Sequence, residues 1–195
     1  MRLSRLLVLA VTLTALAGCT FQGVPEPQVS ARDTEFMAQV PKAQEEPRYA
    51  RYIVDDPTGE APGTIIVDTK NRFLYYVQEN KKAIRYGVAV GDEAYGWTGT
   101  SSIARKAEWP DWNPPAEMKA RWPHVQFTKG GPHNPLGARA LYLYEGNKDT
   151  LYRIHGTNEP EKIGLAVSSG CIRMRNIDVI DLYNRVALNT KVIVR

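Results

Sequence analysis

From residue 63 onward the apolar positions come in short runs broken by polar turns, the rhythm of a β-rich domain. Residues 64–68 (Thr-Ile-Ile-Val-Asp) read as a strand, and Asn71-Arg72 turns the chain into 73–77 (Phe-Leu-Tyr-Tyr-Val). Glu79-Asn80-Lys81-Lys82 makes a second turn into 83–90, so three strands form a meander of hairpins. Strands resume at 140–144, 151–155 and 164–167. One clear helix follows, with Asn176 as its N-cap and Ile177, Ile180, Tyr183 and Ala187 at helical spacing, and 191–194 closes as a strand. The pattern predicts a mainly β domain of sandwich or barrel type with one or two short helices.

Two stretches break the rhythm. Residues 91–137 are rich in Gly, Pro and Trp and long for a connection, which marks a functional lid or binding loop. Before the domain, Pro25, Pro27, Pro41, Pro47 and Pro57 punctuate a Pro/Glu-rich segment without sustained periodicity, read as a tether in which only 49–54 packs on the domain. At the N-terminus, Arg2 and Arg5 precede an apolar run over 6–16, of signal-peptide length and too short to span a bilayer. Leu16-Ala17-Gly18-Cys19 then resembles the bacterial lipobox, which is cleaved before a cysteine that carries the lipid anchor. Ala15-Leu16-Ala17 also suits an ordinary cleavable signal followed by a chance cysteine. The organisation that follows is a lipoprotein signal peptide over 1–18, a lipid-anchored tether over 19–62 and a folded domain over 63–195.

Composition narrows the function classes. The 195 residues suit one domain plus extra sequence, and 43% hydrophobic with 24% charged residues fits a soluble core. The net charge of +4 is spread along the chain, with no basic run of the kind that binds nucleic acid. Cys19 and Cys171 are too few for a disulfide framework, and a lipidated Cys19 leaves Cys171 as the only free thiol of the mature chain. No Gly-rich phosphate-binding loop precedes a helix, so neither a nucleotide nor any other cofactor is indicated.

The chemistry gathers in His155-Gly156-Thr157-Asn158 and Ser168-Ser169-Gly170-Cys171-Ile172-Arg173-Met174. A thiol attacks as thiolate, and an imidazole on a neighbouring strand end can take its proton. Gly170 permits a tight turn beside the cysteine, and the N–H groups of Ser169, Gly170 and Cys171 can then face the oxygen that turns negative in a tetrahedral intermediate. For a lone Cys and a lone His the ordinary reading is a buried thiol and a strand-end histidine. Here both belong to a dense run of recognisable residues.

The ordered pair H-G-T and S-x-G-C-I-R-M resembles the signature of the L,D-transpeptidase catalytic domain (YkuD-type), and the similarity extends over 63–195, including Asn134-Pro135-Leu136-Gly137 and 178–183. The resemblance implies an L,D-transpeptidase-like β-sandwich or barrel, Cys171 as nucleophile, His155 as general base and acid, and a Gly156 carbonyl that orients the imidazole. It implies a thioester formed from a peptidoglycan stem tetrapeptide, by attack between the L-centre of its third residue and the terminal D-alanine. An amine then resolves the thioester, giving a 3→3 cross-link or attachment of an envelope protein to the wall. Arg173 would hold a substrate carboxylate, for which a planar guanidinium is suited; a surface ion pair is its plainer role. Many members carry S-H-G-C, and Ser169 stands where that histidine would be, which leaves His155 as the base.

Other constellations are weaker. His124, His133, His155 and Cys171 lack metal-ligand spacing, so no metal is expected. Trp97, Trp109, Trp112 and Trp122 either line a groove for glycan or peptide or pack the long loop on the sheet. Glu108 and Glu117 form no evident glycosidase pair. Two rival functions stay open: the same site using water as acceptor, as a carboxypeptidase or hydrolase, and a non-catalytic wall-binding lipoprotein. Location is expected in the periplasm through the membrane anchor at Cys19, with Thr20 after it favouring the outer membrane.

Overall fold

Short apolar runs joined by tight polar turns can satisfy their backbone only by pairing side by side. The computed structural model, which describes residues 22–92 and 96–195, shows that pairing carried across most of the chain. In chain order the elements are β1 (Gln22–Gly23), α1 (Ala31–Met37), β2 (Tyr52–Asp55), β3 (Ile65–Asp68), β4 (Phe73–Gln78), β5 (Lys82–Gly87) and β6 (Val90–Gly91). Then follow β7 (Gly99–Glu108), α2 (Ala116–Arg121), β8 (Arg139–Glu145), β9 (Lys148–His155), β10 (Ala166–Ser168), β11 (Ile172–Arg173), α3 (Asn176–Arg185) and β12 (Lys191–Val194). Ten strands run in the order β1-β2-β5-β4-β3-β12-β7-β8-β9-β11, and β10 pairs with β6 in a separate ribbon.

The meander forms as the pattern predicts. Asp68 accepts from the Asn71 backbone and side chain at the first turn, and Asn80 and Lys81 both hold positive φ (59° and 55°) at the second. Two successive left-handed residues match the twist of the flanking strands. A sheet this wide does not stay flat. Ile65, Leu74, Ile84 and Tyr86 from one half and Ile103, Leu141, Leu143 and Ile154 from the other share one buried core, closed by Val179, Ile180 and Leu182 of α3. The fold is mainly β and of sandwich type.

Four features differ from the sequence reading. The loop expected over 91–137 contains the longest strand, β7, bonded to β12 on one side and β8 on the other. Backbone pairing holds it: its side chains are mostly small or charged and give no apolar run. The described residues form three α-helices, the unforeseen ones being α1 and α2 in the two stretches without periodicity. The N-cap of α3 is Arg175, without a side-chain cap bond, because the Asn176 side chain is used elsewhere. Finally, residues 22–55 do not behave as a free tether. Ser30 and Asp33 form a reciprocal capping box on α1, β2 extends the sheet beside β5, and Asp33, Tyr49 and Arg51 are buried. The signal segment and Cys19 lie outside the described residues.

Candidate active site

His155 ends β9, and β11 lies parallel beside it with Ile172 opposite Ile154 and Arg173 opposite His155. Cys171 immediately precedes β11, so the register sets it beside Arg153, two residues from the histidine. Nucleophile and base candidates are thus brought by two adjacent parallel strand ends to one cleft, of about 840 Å³, which both line. The Met174 N–H donates to the His155 carbonyl at 2.8 Å, and Ala89 and Arg173 exchange two backbone hydrogen bonds that fix the outer side of β11.

The imidazole is buried, with 4% of His155 exposed, and its Nδ1 lies 2.6 Å from the Gly156 carbonyl oxygen. A carbonyl can only accept, so Nδ1 carries the proton and Nε2 keeps its lone pair. Asn176 fixes the turn beyond: its Oδ1 accepts from the Ala138 and Thr157 N–H groups (3.0 and 3.1 Å), and its Nδ2 donates to the Thr157 carbonyl at 2.9 Å. A Cβ on Gly156 would sit 2.2 Å from that Oδ1, so the close approach requires glycine.

Ser168 organises the turn that leads into Cys171. Its buried hydroxyl donates to the Cys171 carbonyl at 2.6 Å and accepts from the Gly170 N–H at 3.1 Å. Gly170 holds φ 117°, and a Cβ on Gly91 would come within 2.8 Å of the Gly170 Cα. The Gly170 amide, one of the three expected oxyanion donors, thus donates to the Ser168 hydroxyl. The Cys171 thiol is directed at the Leu151 carbonyl, 3.9 Å away.

Burial pushes the Cys171 thiol up, against the Arg153 backbone N–H and the charges of Arg153 and Arg173, which pull it down. Burial likewise lowers His155, to about 3, helped by the Arg173 charge and opposed by the bond to Gly156. Both shifts favour the uncharged forms.

The remaining residues divide between cleft and scaffold. Trp112 and Trp122 line the cleft with Pro114, Pro115 and Leu136, whereas Trp109 is a buried anchor whose Nε1 donates to Asp33 at 2.8 Å. Trp97 stacks on Tyr152 at 5.5 Å between centroids. Arg173 lines the cleft and pairs with Glu159 at 2.8 Å. His133 lends its carbonyl to the Asn158 side chain, and Glu108 lies 3.9 Å from Arg139. Among the described residues no three His, Cys, Asp or Glu side chains are grouped to hold a metal ion. The roles of Ser168 and Asn176 were missed from sequence. Ser168 stands inside the motif that drew attention to Cys171, and Asn176 was misread as a cap.

Residues 62–194 match the model of the L,D-transpeptidase catalytic domain, YkuD. The probable L,D-transpeptidase YbiS of Escherichia coli is 35% identical over 139 residues, covering 67% of this chain but 43% of YbiS, so the chain spans under half of that relative's length. Bacillus subtilis YqjB is 35% identical over 144 residues, covering 71% of this chain and 76% of YqjB. A solved Brucella melitensis protein, described as a probable carnitine operon oxidoreductase, is 49% identical with a TM-score of 0.53 over 74% of this chain and 92% of its own. An L,D-transpeptidase from Mycobacterium smegmatis shares the fold alone, at 14% identity and a TM-score of 0.53, over 68% of this chain and 58% of its own. By its matched family model and the identity of these relatives over two thirds of its length, the chain belongs to the L,D-transpeptidase catalytic domain (YkuD) family.

Proposed function

We propose that the protein is a peptidoglycan L,D-transpeptidase that uses Cys171 as nucleophile and His155 as general base and acid. The observation that carries this reading is the buried imidazole whose Nδ1 meets the Gly156 carbonyl, on the strand end next to Cys171 in a shared cleft. Rotation about the Cys171 Cα–Cβ bond turns the thiol from the Leu151 carbonyl toward Nε2. His155 then takes the thiol proton as sulfur adds to the carbonyl carbon of the third stem residue. The N–H groups of Ser169 and Cys171 receive the oxyanion. Collapse breaks the carbon–nitrogen bond, the imidazolium returns its proton to the departing D-alanine amine, and a thioester remains. An incoming amine gives a proton to His155, attacks the thioester and releases the sulfur, which is reprotonated.

The walls of Trp112, Trp122, Pro114, Pro115 and Leu136 limit water around the thioester, which favours an amine over hydrolysis. The amine comes from a second stem peptide or an envelope protein. The protein acts in the periplasm, held to a membrane by lipid on Cys19, the outer membrane being the destination that Thr20 favours. No helix among the described residues is long and apolar enough to cross a membrane. The test is a muropeptide digest of purified wall treated with the enzyme. Cross-linked dimers that depend on Cys171 are expected, and shortened monomers alone would instead assign water as acceptor.

A further inference from the structure

Three strands and the nucleophile turn place four side chains in one row across the sheet. Arg105 on β7 is the register partner of Tyr142 on β8, Tyr142 is the partner of Arg153 on β9, and the β9–β11 register carries the row on to Cys171. Register partners share a sheet face, and all four line the same cleft. The two guanidinium groups flank one phenol ring: the Arg105 carbon lies 3.5 Å and that of Arg153 4.5 Å from the Tyr142 centroid.

The charges along this row are not equally compensated. Arg153 is engaged in a two-pronged bond to Asp149 at 2.7 and 2.8 Å, and Arg173 is paired with Glu159. Arg105 is exposed, rests on the ring and makes no ion pair among the described residues. Stacking fixes the guanidinium plane while leaving its edge N–H groups available, the geometry that suits a carboxylate. Tyr142 stands two inter-strand steps from Cys171, about 10 Å, which is the reach of two to three extended residues.

We propose that Arg105, held by Tyr142, forms a carboxylate subsite for the acyl-donor peptide, engaging an acidic residue upstream of the one attacked by Cys171. The inference rests on the transpeptidase reading and adds a preference to it: the donor is recognised as an acidic peptide, at a point separate from the reacting carbonyl. In a stem tetrapeptide the free carboxylate of the second-position D-glutamate is the group that meets this description.

The experiment measures acylation of the full chain by two tetrapeptide donors that differ only in whether that D-glutamate carboxylate is free or amidated. Wild type is expected to favour the free acid by about tenfold in kcat/KM, the scale of one charged hydrogen bond. In Arg105→Gln the ratio should collapse to near one through a rise in KM for the acid, and Arg105→Lys should restore part of it. Iodoacetamide labelling of Cys171 reports whether the thiol is intact in each variant. A ratio near one in wild type, or a ratio kept by Arg105→Gln, overturns the subsite while leaving the transpeptidase reading standing. Failure of wild type to be acylated by either donor overturns that reading itself.

Discussion

The Nδ1 of His155 and the carbonyl oxygen of Gly156 lie 2.6 Å apart, a bond between neighbours that fixes the imidazole as one tautomer. With burial and Arg173 holding the ring's pKa at about 3, the proposed base is uncharged throughout the neutral range. The acylation rate should therefore show no step at the ordinary histidine value of about 6.5. Activity should fail on the acid side only as the pH approaches 3. A rate profile with a clear inflection near pH 6.5 would contradict an uncharged imidazole at neutral pH. The linkage sign agrees: a histidine whose pKa is depressed by folding gives its full stabilisation above about 6.5 and loses it progressively as the pH falls.

The Ser168 hydroxyl bridges the Gly170 N–H and the Cys171 carbonyl, and so fixes the turn that presents the sulfur. Ser168→Ala leaves the buried Gly170 N–H and the part-buried Cys171 carbonyl without their bond, which costs about 1–3 kcal/mol at the turn. The expected result is a fall of roughly ten- to a hundredfold in the acylation rate. Stopped-flow acylation with the variant checks this, and a rate equal to wild type would remove Ser168 from the account.

Gly91 of β6 packs against Gly170, just before Cys171, and a methyl group on Gly91 would meet the Gly170 backbone at 2.8 Å. Backbone cannot swing aside as a flexible side chain can. Gly91→Ala is expected to destabilise the protein by about 1–3 kcal/mol and to slow acylation by displacing Gly170. Urea midpoints and acylation rates measured together test it. An unchanged midpoint would show that the turn yields freely.

Asp33 anchors α1 to the domain. Its carboxylate, 1% exposed as a residue, meets the Arg139 guanidinium at 2.8 and 2.9 Å and takes the Trp109 N–H. Burial opposes the charge, but Arg139, Ser30 and Trp109 outweigh it and hold Asp33 well below the usual carboxylate range. This contribution is present above the unfolded value of about 3.9 and is lost as the pH falls below it. Asp33→Ala leaves Arg139 buried without its partner, a loss of about 3–5 kcal/mol, limited by what it costs for α1 to detach. Hydrogen exchange should then rise through 22–40 and in β8. Unchanged protection there would contradict the anchoring role.

How much of this was legible beforehand depended on where the information sits. The hairpins of β3, β4 and β5 announce themselves because Ile65, Leu74 and Ile84 fall in local runs between turn residues. The helix α3 is visible through Ile180 and its periodic neighbours. Strand β7 is not, since Arg105, Lys106 and Glu108 carry no apolar signal and the strand is held by ladders to β8 and β12, far away in sequence. For the same reason α1 reads as tether: its stability comes from Arg139, 106 residues distant. At the site, His155 and Cys171 were legible as types in a motif. Sequence could not reveal that Ser168 occupies the Gly170 amide, because that depends on the actual path of one turn. Nor could it reveal the cross-sheet row from Arg105 to Cys171, which exists only through strand register.

The most direct test of the central claim is the intact mass of the protein, quenched shortly after mixing with a stem tetrapeptide donor. The account predicts an added mass equal to the donor less its terminal D-alanine, located on Cys171 and lost in Cys171→Ala. An adduct that persists in Cys171→Ala, or turnover of the donor with no sulfur-bound species at any time, would contradict it.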